Sequence, residues 1–292
     1  MPRKSLAHKP TISIVGPGNL GSALAVTLAA AGYRVHSLVT RAGSKRIRQA
    51  KLLARSTGAQ VSRIGRQPIP AEIVWIAVPD DAIAGVARAL AQSGDWRGKI
   101  IFHSSGALTS DELSPLQAKG ARAASVHPMM TFVRGEVPGM AGVPFAVEGD
   151  RAAVRAARAI VAGLGGRSFV IKKQNKVLYH VFGSFASPLV IALMATMEDV
   201  AQAAGLRKQD IKPVVGPLLW QTLRNYQKHD AAKAFSGPLA RGDIATVSKH
   251  LAELEKLPHA MKVYRALAHS AVRRLPAKNA GAMAARLTRA KR

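Results

Sequence analysis

The chain has 292 residues and no cysteine, and its 43 Lys and Arg against 16 Asp and Glu give a formal net charge of +27 at pH 7. Without cysteine there are no disulfides, thiolate metal sites or cysteine nucleophile, and a reducing, cytoplasmic setting is expected. At 48% hydrophobic residues the chain can fill a core, and no apolar run of membrane-spanning length or signal-peptide core is read from it, so a soluble, non-exported protein is expected. The charge raises polyanion binding as a function. However, the basic residues are spread along the chain, aromatics make up 5%, and no zinc-finger, RNA-recognition or basic-heptad pattern occurs, so no specific nucleic acid is expected as a partner.

Taken in order, Thr11-Ile-Ser-Ile-Val15 reads as a buried parallel strand and runs into Gly16-Pro17-Gly18-Asn19-Leu20-Gly21, which opens an alanine-rich helix to about Gly32. A strand, a GxGxxG turn and a helix in that order form the cradle of a dinucleotide. The first glycine makes the turn, the second admits the pyrophosphate, and the third lets helix and strand pack. Tyr33–Val39 reads as the second strand and Ser44 to about Gly58 as a basic helix. Strands follow at Glu72–Val78, Lys99–His103, Arg122–Val126, Val143–Val147 and Ser168–Ile171, with helices after Asp80, Ser110 and Asp150. This alternation predicts an α/β Rossmann domain with a doubly wound, mainly parallel sheet over residues 1–171. Strand signals then stop. Lys172 to about Gly205 reads as one long apolar helix, bent at Pro188, with further helices from Asp210, Ala231, Ile244 and Pro258. An all-α substrate and dimerisation domain is expected over 172–275, and a mobile basic tail over 276–292.

An NAD-specific fold of this kind places an Asp or Glu at the end of the second strand, on the ribose 2′-hydroxyl. Here the first carboxylate of the whole sequence is Glu72, and the chain reads Thr40-Arg41-Ala-Gly-Ser44-Lys45-Arg46 where that acid would stand. Thr40, Arg41 and Ser44 suit a 2′-phosphate, which predicts NADP, with NADPH preferred over NADH. Ligands of open α/β sheets lie outside the carboxyl ends of the strands. Val78-Pro79-Asp80 is therefore expected near the cofactor, or alternatively as a strand stop and helix start. His103-Ser104-Ser105-Gly106 offers hydroxyls and an imidazole to substrate, or else turn chemistry, and His127 at the next strand end is either a ligand or a structural hydrogen bond. In Ser236-Gly-Pro-Leu-Ala-Arg241-Gly-Asp243, Arg241 can clamp a carboxylate, while Asp243 lines the substrate or caps the next helix.

GPGNLGSALA, IAVPDDAI, HSSGAL, HPMMTF, FAVEGD, LYH and GPLARGD occur in that order. Together they resemble bacterial Rossmann-like oxidoreductases whose helical half is a domain of unknown function, DUF2520. These lie within the wider superfamily of 6-phosphogluconate and 3-hydroxyisobutyrate dehydrogenases, pyrroline-5-carboxylate reductase and ketopantoate reductase. The resemblance spans about Thr11 to Leu267. It implies an active site in the cleft between the two domains, a homodimer built through the helical domain, and a Lys near the start of the long helix as proton donor. The chain departs from the pattern at Phe185-Ala-Ser187-Pro188, where relatives carry an Asn beyond the Tyr-His pair. Lys176 and His180 share a helix face. By position in the motif His180 is the first candidate proton donor and Lys176 the second, with Ser104 and Ser105 beside them.

These features converge on an NADP(H)-dependent dehydrogenase or reductase acting on C=O or C=N of a small carboxylic acid, with no metal. Two other readings stay open: a non-catalytic NADP-binding sensor or scaffold, and a polyanion-binding protein.

Overall fold

The structure, a computed structural model, describes residues 9–288 except 42, 44, 45, 66, 67 and 134. Eight strands form one sheet: β1 (Ile12–Val15), β2 (Val35–Thr40), β3 (Gln60–Arg63), β4 (Ile73–Ile76), β5 (Ile100–His103), β6 (Arg122–Pro128), β7 (Pro144–Gly149) and β8 (Arg167–Val170). Their spatial order is β3-β2-β1-β4-β5-β6-β7-β8. All neighbours run parallel except β6 and β7. Chain order reverses direction between β1 and β4, the switch point at which open α/β sheets receive ligands. The expected doubly wound, mainly parallel sheet is observed. Gln60–Arg63, which shows no hydrophobic run, adds an unforeseen edge strand through its pairing with β2.

Period-two alternation builds a core on each face of this sheet. Ile12, Ile14, Trp75 and Phe102 point to one side, where α1 (Asn19–Ala30) and α5 (Arg151–Gly163) supply Leu24, Leu28, Ile160 and Val161. Val15, Val74, Ile76 and Ile101 point to the other, against Ile83 and Leu90 of α3 (Asp80–Ala91) and Leu116 of α4 (Ser114–Gln117). Each such side chain contributes about 1.5–3 kcal/mol on full burial. The polar pair inside the sheet is satisfied, since the Ser13 and Ser37 hydroxyls bond each other at 2.9 Å. The basic helix α2 (Ile47–Thr57) covers β2 and β3 and ends on Gly58 in the left-handed conformation.

The chain divides into two compact units, Met1–Ser184 and Phe185–Arg292. The helix α6 (Lys176–Ala186), preceded by a short 3-10 turn at Lys173–Asn175, thus belongs for most of its length to the first unit. The second unit holds α7 (Pro188–Ala203), α8 (Lys208–Lys228), the single turns α9 (Ala231–Ala234) and α10 (Pro238–Arg241), α11 (Ile244–Leu254), α12 (Pro258–Arg274) and α13 (Ala280–Thr288). The expected helical character of this half is observed.

Two expectations are corrected. The segment from 276 is not a loose tail in its described part: α13 buries Met283 and Leu287 completely against Val247, Leu251, Ala268 and Val272. A sequence of small and basic residues hid the two large side chains, four apart, that dock it. The stretch Lys173–Ala203, 31 residues with a most apolar window of mean hydropathy 1.8, is long and apolar enough by composition to cross a bilayer, contrary to the expectation of no such run. Ser187, at φ −132° and ψ −81°, interrupts it before Pro188, leaving α-helices of 11 and 16 residues, each below the ~20 needed to span.

Removing the Leu287 side chain tests the docking of α13. Leu287→Ala should destabilise the protein by about 2–5 kcal/mol in urea unfolding, as for other fully buried leucines, whereas an undocked tail would give no change.

Candidate active site at the carboxyl edge of the sheet

The glycines after β1 are dictated by space. Gly16 has φ +88°, and a β-carbon there would lie 2.5 Å from Val78 Cγ1 and 2.8 Å from the Ala77 carbonyl oxygen. At Gly21 a β-carbon would sit 2.2 Å from the Gly16 carbonyl oxygen, so this residue sets how closely α1 can approach β1. Gly18 is the N-cap of α1 and has no side chain to cap it. The first-turn N–H groups of α1 therefore point past the sheet edge with no side-chain acceptor at the cap, at the positive end of the helix dipole. Such an uncapped, glycine-lined helix start fits the pyrophosphate of a dinucleotide. Asn19 holds the other side of the loop through Nδ2, which donates to the Phe132 carbonyl at 3.0 Å.

At the carboxyl end of β2, Arg41 is exposed and Thr40 is buried with its hydroxyl 3.4 Å from the Ser62 carbonyl on β3. Ser44 lies outside the described residues. An Arg46 Nη1 lies 3.4 Å from where a Gly18 β-carbon would be, which brings a guanidinium to the glycine loop. Glu72 accepts from the Thr11 N–H at 2.8 Å and the Thr11 hydroxyl at 3.1 Å, at the amino ends of β1 and β4, on the opposite edge of the sheet. No carboxylate of β1, α1, β2 or α2 faces the loop, as the sequence dictates.

At the carboxyl ends of β4, β5 and β6 a polar cluster forms. Asp80, in the first turn of α3, accepts from the Ser105 hydroxyl at 2.7 Å, and Ser105 Oγ itself accepts from the Leu108 N–H at 2.9 Å and the Ala107 N–H at 3.2 Å. His103 is fully buried: its Nε2 donates to the Thr109 carbonyl at 2.9 Å and its Nδ1 accepts from the Ser105 N–H at 3.1 Å. Lys176 is 1% exposed and donates to the Ser105 carbonyl at 2.9 Å and to the Ser125 hydroxyl. Burial lowers the Lys176 ammonium to about 8, against the opposing pull of Glu148 and Asp80. Burial holds His103 down to about 4, and His127 likewise to about 4, with Lys176 adding to the effect at His127. Both imidazoles are therefore neutral near pH 7.

His127 and His180 converge over Gly106. A β-carbon on Gly106 would lie 2.8 Å from His127 Nε2 and 2.7 Å from His180 Cδ2, so only glycine leaves room for both rings. The rings are 6.3 Å apart and nearly perpendicular. His127 Nδ1 is 2.9 Å from the Tyr179 hydroxyl, while His180 is exposed. Ser104 Oγ accepts from Trp75 Nε1 at 2.7 Å and keeps its own proton to donate.

Of the residues expected here, Asp80, Ser104, Ser105, His103, His127, Lys176 and His180 are brought into one neighbourhood, and Val78 packs at Gly16. Four residues take roles other than the expected ones. His103 and Ser105 are read as substrate-facing or catalytic in the sequence, but every donor and acceptor of the His103 ring, and the Ser105 hydroxyl, are spent on backbone and on Asp80. Lys176 is a proton-donor candidate in the sequence, but its ammonium is sealed between Ser105 and Ser125. Asp243, likewise, caps α11, accepting from the Thr246 N–H at 2.9 Å and hydroxyl at 2.7 Å, and so follows the alternative reading. Arg241 is exposed on α10 in the second unit. One site residue was named in the sequence without a role and one was missed. Tyr179, of the Tyr-His pair, lies on the Lys176 and His180 face of α6. Glu148 is buried, with its carboxylate accepting from the Ser110 N–H at 2.6 Å and hydroxyl at 2.9 Å; as the acid of FAVEGD it carried no signal of burial.

The buried bases predict how stability follows pH. His103 and His127 have folded pKa values of about 4, below the ordinary 6.5, so between pH 4 and 6.5 the unfolded chain binds more protons. Their contribution is complete above pH 6.5 and is lost as pH falls through the window. Lys176, at about 8 against 10.5, adds stability as pH rises from 8 to 10.5. Urea midpoints measured across both ranges should rise with pH. The alkaline slope should flatten in Lys176→Met, which also loses about 1.5–3 kcal/mol with the ammonium's hydrogen bonds, although the Ser105 carbonyl keeps the Ser125 hydroxyl as a donor at 3.1 Å.

The Rossmann-like domain family matches residues 5–128, and the family described as Domain of unknown function (DUF2520) matches residues 143–271. No curated protein matches the chain in sequence. Among solved structures, a candidate NADP oxidoreductase from Bacteroides fragilis is 20% identical, with 90% of this chain and 97% of that one covered at a TM-score of 0.74. A protein from Thermotoga maritima is 24% identical, with 95% and 100% covered at 0.69. The reductive aminase from Aspergillus terreus, solved in complex with NADPH and ethyl-5-oxohexanoate, is 16% identical, with 94% and 98% covered at 0.62. At these identities the likeness is one of fold. The chain therefore carries a Rossmann-like domain followed by a DUF2520 domain, the second of which begins within the sheet at β7.

Proposed function

We propose that this protein is an NADP(H)-dependent oxidoreductase that reduces a ketone or imine of a small carboxylic acid. The observation that carries the reading is a juxtaposition within the first unit. The uncapped start of α1 and the His127–His180 pair stand on the same carboxyl edge of one sheet, one suited to a pyrophosphate and the other to a polar substrate. A reduced nicotinamide, held by the start of α1, would supply the hydride for the carbonyl or imine carbon. The heteroatom then needs a proton. Exposed His180 donates it, a role preferred here over Lys176 because the lysine is sealed away. Ser104 Oγ and His127 Nε2 orient the substrate. Arg41 holds the 2′-phosphate, in line with the absence of any carboxylate before Glu72.

The test is NADPH oxidation with a panel of 2-keto acids, ketopantoate and cyclic imines. Turnover that falls about 10²–10⁴-fold in His180→Gln, with the NADPH dissociation constant unchanged, is the expected outcome. Tight NADPH binding with no turnover on any substrate would favour the non-catalytic sensor instead. Arg41→Ala should weaken NADPH at least about tenfold, the loss of one charge-assisted contact, and leave NADH unchanged. Equal NADH affinity and NADPH affinity in both proteins would end the NADP assignment. A polyanion-binding role predicts instead a nucleic-acid affinity that falls steeply with salt yet discriminates between sequences.

We also propose a homodimer through the helical half. In α8 only Ile211 is buried, while Val214, Leu218, Trp220 and Tyr226 are each more than 60% exposed, on several sides of the helix. A helix apolar on several sides calls for cover. Light scattering on the purified protein should give the dimer mass, and Leu218→Glu with Trp220→Glu should reduce it to the monomer.

A further inference from the structure

Tyr179 is a buried phenol on α6 whose hydroxyl has one described partner, His127 Nδ1 at 2.9 Å. Its ring is braced edge-on by Phe169 at 6.0 Å and by His127 at 5.5 Å. A hydroxyl in this place either donates to Nδ1 or accepts from Nδ1–H. If it accepted, its own buried proton would have no partner among the described residues. If it donates, both groups are satisfied, at a cost of nothing. Burial raises the phenol to about 12, so the proton stays on the oxygen at any working pH. Donation to Nδ1 leaves the ring proton of a neutral imidazole on Nε2. That nitrogen makes no hydrogen bond to a described residue and borders Gly106, beside His180.

We propose that Tyr179 is a positioning residue that fixes His127 as its Nε2–H tautomer, so that a neutral N–H donor is held at the substrate's heteroatom while His180 supplies the proton. This rests on the reductase reading for its purpose but not for its geometry. The division of labour follows from the surroundings. His127 faces Lys176 below, His180 across Gly106 and His103 on the neighbouring strand, all of which oppose a positive charge on its ring. A neutral imidazole can polarise a carbonyl or imine without placing a second cation at the site. The chain thus carries two histidines with different tasks: one whose tautomer is locked from behind by a phenol, and one exposed to exchange protons with solvent. The loop glycine is the condition for their meeting, since any side chain at 106 would separate them.

Two-bond 1H–15N correlation spectra of 15N-histidine-labelled protein read the tautomer directly, with the His127 signals assigned by their loss in His127→Phe. The wild type should show a protonated Nε2 and a hydrogen-bonded, unprotonated Nδ1. In Tyr179→Phe the Nδ1 resonance should move to the position of an unbonded ring nitrogen. Turnover of NADPH should drop about tenfold in kcat, with the NADPH dissociation constant unchanged. A protonated Nδ1 in the wild type overturns the proposal by itself, even if the Tyr179 variant fails to fold. So does an Nδ1 resonance unmoved by Tyr179→Phe. If no substrate is ever turned over, the reductase reading fails while the tautomer is still decided by the spectra.

Discussion

Taking an ammonium out of water costs several kcal/mol unless acceptors replace the solvent. Lys176 meets this with the Ser105 carbonyl and the Ser125 hydroxyl, and with the negative field of Glu148 and Asp80. Those two acceptors stand on different segments: the loop after β5 and the middle of β6. The donor stands on α6. One side chain therefore fixes three elements relative to each other, and the helix face it anchors is the one that carries Tyr179 and His180. Ser105 is held from both sides in consequence, its carbonyl by Lys176 and its hydroxyl by Asp80. The backbone of Gly106, on which the two imidazoles close, follows directly from that grip.

The glycine loop obeys a different constraint, which is space and not charge. The 2.2 Å distance from a Gly21 β-carbon to the Gly16 carbonyl leaves no rotamer to adjust, because the clash is with backbone. Gly18 then withholds a capping side chain from a helix that would ordinarily have one. The uncompensated N–H groups are a cost to the free chain. They become an asset when an anion arrives, and a chain of net charge +27 brings anions to its surface readily.

The sheet was legible because buried parallel strands are nearly continuous apolar runs, and Ile12–Val15, Ile73–Ile76 and Ile100–His103 are of that kind. The edge strand Gln60–Arg63 was not, since its half-exposed QVSR gains order only by pairing with β2. In the site, identity was legible and role was not. Sequence placed His103 and Ser105 at the carboxyl end of a strand and Lys176 at a helix start, and the fold brings the three together. What it could not carry is direction: whether an imidazole at a strand end turns inward to Thr109 or outward to substrate depends on a loop six residues away. Tyr179 shows the converse. Its partner His127 lies 52 positions earlier, and only the folded register of β6 against α6 makes them neighbours.

Charge at the site follows from these burials. Transfer of a hydride from a reduced nicotinamide leaves that ring positive, and a fixed cation close by would raise the energy of reaching that state. The one lysine in the cluster is turned away, its ammonium donated to backbone and serine and balanced by two carboxylates. The two imidazoles fully or largely enclosed by the fold are neutral near pH 7, both because burial penalises the charged ring, with Lys176 and the other histidines adding to this at His127. What remains facing outward is a set of neutral donors and one exposed imidazole, His180. Such a surface suits the polar, uncharged reacting group of the proposed reaction, and recognition of any carboxylate on the same substrate would fall to residues outside the cluster.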